Sequence, residues 1–91
     1  MPAPARPPWV LAQRREIGHR IARHREARGW SVDDLAGAAA VGRVTVVRVE
    51  TAARSTGLDV LLQLAAALEV TVGQLLDEDP AAGTRAAGGG A

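Results

Sequence analysis

The sequence predicts an all-α protein, a compact five-helix bundle built around two short helices joined by a tight turn. Three observations carry that expectation. Leu58, Leu61, Leu62, Ala65 and Leu68 recur at the 3.6-residue period of one helical face. Ser31 with Asp34, Thr56 with Asp59, and Thr71 with Gln74 have the three-residue offset at which a hydroxyl and a carboxylate or amide cap a helix start reciprocally. Only one segment, residues 43–50, reads as a strand, and a lone strand would leave its backbone unpaired.

Composition narrows the function classes. With 91 residues the chain holds one small domain. It has no cysteine, which excludes disulfides and thiolate metal sites. No apolar run approaches the roughly 20 residues of a membrane span, and the N-terminus lacks a basic region followed by an apolar one. A soluble, cytoplasmic protein with no membrane partner is the expectation. All eleven basic residues are arginine and alanine is abundant, as in bacterial proteins from GC-rich genomes. Net charge is only +1, but its distribution is uneven. Ten arginines stand against five carboxylates up to residue 54, and one against five beyond it. A basic half of this kind suits a nucleic-acid surface, and equally a solvated arginine-rich helix face.

Taken in order, residues 1–8 contain four prolines and read as a disordered arm, with the folded domain spanning 9–79. Val10, Ile17 and Ile21 recur near helical spacing through a first helix of about 10–28, stopped by Gly29. Ser31 caps a second helix of about 32–39 that buries Leu35, Ala36 and Ala39. Residues 43–50 are rich in β-branched side chains and by propensity favour a strand. Helices on both sides favour a helix that buries Val46 and Val49, with Val41 in the preceding turn. Thr56 caps the fourth helix and Thr71 a short fifth, which ends at Asp77-Glu78-Asp79 where acids oppose the helix dipole. Residues 80–91 are Gly/Ala-rich and read as a disordered tail.

The third helix presents Arg43, Val44, Thr45, Val47 and Arg48 where few other side chains compete. A DNA major groove admits one such helix. No nucleophile–base pair, phosphate-cradling glycine loop or metal cluster is evident, so neither an enzyme nor a cofactor is expected. His19 and His24 are five residues apart, off the four-residue spacing of helical metal pairs, and read as exposed surface residues. Trp30 is expected to plug the core. Trp9 suits either the outside of the first helix or a partner interface.

Residues 17–76 resemble the phage-repressor (Cro-like, XRE) type of helix-turn-helix domain. The carriers are Ile17-Gly18, Ile21, Arg25, Arg28-Gly29, Leu35-Ala36, Val41, Val46, Glu50, Leu58, Leu61, Leu64-Ala65, Leu68, Val70 and Leu75-Leu76. The resemblance implies a lambda-repressor-like fold, with double-stranded DNA and a second copy of the chain as partners. It implies that Gly42 opens the recognition helix, that Arg43, Val44, Thr45, Val47 and Arg48 lie at or near DNA, and that Arg25 and Glu50 form a structural ion pair. Arg43 is the best base reader, because a guanidinium can bond O6 and N7 of guanine together.

The sequence departs from the family at Val32, where glutamine is common, at Ala40, where glycine is frequent, and at Gly42, where a hydroxyl often caps the helix. Val47 replaces a frequently polar residue. This apolar surface keeps open a rival reading, in which the fold serves as a protein-interaction module, an adaptor or antitoxin-like partner. The apolar residues of the fourth and fifth helices exceed the needs of so small a core and point to a homodimer.

Overall fold

The protein was analysed as a computed structural model, which describes residues 6–77. Five α-helices follow one another: α1 (Pro8–Ala27), α2 (Val32–Ala39), α3 (Arg43–Glu50), α4 (Leu58–Leu68) and α5 (Val72–Leu76). The expected tail at 80–91 and most of the expected arm at 1–8 lie outside the described residues. Pro8 itself opens α1, two residues before Val10. Proline is tolerated there because the first turn has no intrahelical partner for its missing N–H.

Two helix starts are set by side chains. The Ser31 Oγ accepts the Asp34 N–H at 3.0 Å while the Ser31 N–H donates to Asp34 Oδ2 at 2.8 Å. Thr71 and Gln74 repeat this reciprocal arrangement at 3.0 and 2.8 Å, which fixes the five-residue α5. The third expected pair does not form. Gly57, not Thr56, precedes α4 and no side chain caps it, so Asp59 falls one position too early for a return bond.

Helix ends follow one pattern throughout α1 to α4. Past α1, the Trp30 N–H reaches the Arg25 carbonyl and the Gly29 N–H the Glu26 carbonyl. The same bond pair closes α2 around Ala40, α3 around Ala52 and α4 around Glu69. This closure needs a left-handed residue, usually glycine. Gly29 supplies one at φ +71°, whereas Ala40, Ala52 and Glu69 adopt φ of 57–58° with a Cβ.

Packing resolves the choice at residues 43–50, which are helical throughout. α2 packs on both α3 and α4, and α1 backs α3, α4 and α5. Ile21, Leu35, Val46, Leu64 and Leu75 are fully buried, joined by Ala36, Ala39, Val49, Ala65 and Leu68. A helix at 43–50 satisfies its own backbone and turns Val46 and Val49 into this core, which outweighs the few tenths of a kcal/mol that valine loses in helix propensity. The face of α4 differs from expectation. Leu64, Ala65 and Leu68 are buried, Leu61 half-buried, and Leu58 and Leu62 exposed, because the apolar arc of α4 is wider than the surface α1, α2 and α5 offer it.

Candidate nucleic-acid interface

The α2–α3 unit is held from both sides. Ala40 reverses the chain, Val41 packs half-buried against the core, and Gly42 precedes α3 in extended conformation without a side-chain cap. At the other end of α3, Arg25 grips Glu50 two-pronged. Its Nε is 2.8 Å from Oε2 and its terminal NH2 3.0 Å from Oε1, while NH1 donates to the Trp30 carbonyl at 2.8 Å. Hydrogen bonding to Glu50 raises the Arg25 pKa, although partial burial opposes it. A Cβ on Gly18 would come within 2.5 Å of the Val49 carbonyl and 2.7 Å of the Glu50 carbonyl, so only glycine allows α1 this close to the end of α3.

Anchored through Val46, Val49 and Glu50, α3 turns its remaining face outward. Arg43, Val44 and Arg48 are exposed, Val44 at 55 %, and Thr45 and Val47 are half-buried. Arg43 is accompanied by a carboxylate, its Nε lying 3.0 Å from Asp33 Oδ1 in the first turn of α2. Arg48 and Thr45 line a hollow of about 150 Å³ with Arg54, Ser55, Thr56 and Gly57 ahead of α4. Arg54 was not singled out by sequence. A single arginine in an irregular link carries no pattern, and only folding brings it beside Arg48. Val32 is half-buried against the core, turned away from any role glutamine would have there.

Other side chains take different places from those expected. Trp30 is half-buried against the core rather than inside it, and the Arg28 guanidinium stacks 4.8 Å from its ring centroid. Arg28 also pairs with Glu69 beyond α4. Trp9 is 71 % exposed and walls a groove of about 420 Å³ with Val10, Gln13, Arg14, Ile17 and Leu61. His19 is exposed as expected, but His24 is half-buried.

Among the described residues the most buried charge is Arg20, at 4 % exposure, in a helix whose arginines suggest a solvated face. Its NH1 donates to the carbonyls of Leu75 and Leu76 at 2.9 and 2.7 Å, closing the end of α5 onto α1, and Gln13 adds a bond to Leu76 at 3.0 Å. No local pattern could reveal it, because its partners are backbone atoms 55 and 56 positions away.

Comparison with known proteins decides the family. Residues 16–78 match the family described as "Helix-turn-helix domain". The chain belongs to this helix-turn-helix family. Its five-helix bundle is that of the phage-repressor type, a class of DNA-binding regulators rather than enzymes. The restriction-modification controller protein C.AhdI from Aeromonas hydrophila is 33 % identical over 70 % of this chain and 97 % of its own, with a TM-score of 0.68. The N-terminal DNA-binding domain of SinR from Bacillus subtilis is 31 % identical over 72 % and 97 %, with a TM-score of 0.67. A hypothetical transcription factor, NHTF from Neisseria, is 30 % identical over 88 % and 91 %, with a TM-score of 0.71. No curated protein sequence matches. Among the described residues of this helix-turn-helix chain, no helix is long and apolar enough to cross a membrane, and no three or more His, Asp or Glu side chains cluster as metal ligands.

Proposed function

We propose that the chain is a sequence-specific transcription regulator of the bacterial cytoplasm that inserts α3 into the DNA major groove. The observation that carries this reading is the outward face of α3. Arg43, Val44 and Arg48 project from a helix whose opposite side is fixed by Val46, Val49 and the Arg25–Glu50 pair. Arg43 reads guanine, Val44 and Val47 meet thymine methyl groups, and Thr45, Arg48 and Arg54 serve bases or phosphates. The solved relatives support this assignment, one being the biofilm regulator SinR in complex with DNA, 32 % identical over 67 % of this chain.

The regulator acts as a dimer on an inverted repeat. Leu58, Leu62 and Ala66 follow one another at helical spacing on α4 and are all exposed, with Leu76 of α5 exposed as well. Joining two copies through such a stripe lets paired recognition helices sit about 34 Å apart, one turn of DNA. The exposed Val44 favours a second reading, in which this face docks a protein.

Titration of duplex DNA selected from a random-sequence pool, at rising salt, separates the readings. DNA recognition gives an affinity that falls linearly on a log–log plot as counterions are displaced. Arg43→Ala is expected to lose roughly 5- to 150-fold in preference for the selected duplex over random DNA. Absence of binding at low salt gives the face to a protein partner, and equal loss on both duplexes reduces Arg43 to a phosphate contact.

A further inference from the structure

We infer that Asp33 is a specificity-determining residue, a carboxylate that holds the Arg43 guanidinium for base reading and withholds it from phosphates. The inference rests on the assignment of Arg43 to DNA. Its starting point is the 3.0 Å contact between Arg43 Nε and Asp33 Oδ1, which brings the first turns of α2 and α3 together on the outward face. Both side chains are well exposed, at 63 % and 72 %, so the pair adds little to folding and the core gives no reason for it.

Nor does α2 require Asp33. The capping box is closed by Asp34, whose carboxylate accepts the Ser31 N–H, and the acid beside it is free of that task. A carboxylate on a DNA-facing surface repels every phosphate it approaches, so it weakens binding to all duplexes unless it does something else there. What Asp33 does is occupy the Nε side of Arg43. The four remaining N–H groups, on NH1 and NH2, form the far edge of the guanidinium and can still bond O6 and N7 of one guanine together. On a site without guanine at that position, a phosphate taking that edge brings a full negative charge toward the Asp33 carboxylate, whereas a guanine brings none. Asp33 therefore penalises the wrong sequence more than the right one, a repulsive element of the kind specific interfaces use.

The test compares binding to the duplex the wild-type chain enriches from a random pool with binding to an unrelated duplex, at one salt concentration. Asp33→Asn keeps the shape and removes the charge, and Asp59→Asn, an exposed acid in the first turn of α4, is the charge control. The expected result is that Asp33→Asn tightens the unrelated duplex more than the selected one. The preference ratio should fall about two- to fivefold, the range an exposed ion pair can supply, with the loss confined to one guanine position in a repeated selection. Thermal midpoints should fall no further in Asp33→Asn than in Asp59→Asn, each variant losing one first-turn acid. In an Arg43→Ala background, Asp33→Asn should leave the ratio where it is. Equal tightening of both duplexes, or a fall in ratio that persists without Arg43, overturns the inference. If Arg43→Ala alone leaves the ratio intact, the assignment of Arg43 fails first, and that outcome is seen before Asp33 is touched.

Discussion

At Gly18 a hydrogen is all the space allows, and at Ala40 a methyl group is one more than the backbone wants. Gly18→Ala puts a Cβ within 2.5 Å of the Val49 carbonyl, which forces α1 off the end of the recognition helix. Overpacking of this kind costs about 1–3 kcal/mol, so denaturant unfolding should show a loss in that range. Ala40→Gly should do the reverse. A left-handed conformation costs a residue with Cβ roughly 1–2 kcal/mol, of which the greater chain entropy of glycine returns about 0.5–1. A gain of about 0.5–1 kcal/mol follows, read as a higher thermal midpoint, and an unchanged or lower one contradicts the strain at φ 58°. The resemblance marks both positions, Gly18 as a carrier and Ala40 as one where glycine is frequent, without giving the reason for either. Neither constraint is local in type, since each depends on where the surrounding backbone passes.

Among the helices, what was legible depended on where the chemistry that fixes each boundary resides. The starts of α2 and α5 are written in hydroxyl, carboxylate and amide side chains, and the sequence identifies them. The start of α4 rests on Gly57 without a side-chain bond, and the ends of α2, α3 and α4 use residues that do not advertise a left-handed turn. α3 itself is legible only through its neighbours, because its valines favour a strand until a core is supplied for them.

The Ser31 backbone N–H, and secondly the Ser31 hydroxyl, hold the Asp34 carboxyl below its ordinary value. A folded pKa lowered in this way contributes stability above the unfolded pKa of about 3.9. The contribution disappears as pH falls through the folded value. Asp34→Asn should therefore flatten the acid limb of the stability–pH curve below about pH 4, while Ser31→Ala should cost about 1 kcal/mol at neutral pH. The Arg25–Glu50 pair joins two elements and predicts non-additivity. Arg25→Met alone leaves Glu50 and the Trp30 carbonyl without their donor, a loss of about 3–5 kcal/mol, and Arg25→Met with Glu50→Met should lose less. Simple additivity in urea unfolding would remove the coupling.

For the molecule as a whole, the exposed leucines of α4 bear on assembly. Leu62→Glu alters an exposed side chain outside the core, so the monomer should keep its fold and helix content, while its thermal midpoint loses any dependence on protein concentration. Sedimentation should then show a monomer, with binding to an inverted repeat no tighter than to two separate half-sites combined. An unchanged sedimentation coefficient for Leu62→Glu would move the dimer interface away from this stripe. Most of the core and the helix order were readable because periodicity reports burial and caps mark helix starts. Which apolar residues remain exposed was not, since that depends on how much of α4 its three neighbours cover.

The grip of Arg20 on Leu75 and Leu76 also sets when this fold can be completed. Within α1 the Arg20 guanidinium has only Glu16, at 3.8 Å, as a partner, and its two carbonyl acceptors come with α5. A charged donor buried without its acceptors is strongly disfavoured, so the α5 side of α1 is sealed only once the last turn of α5 has formed.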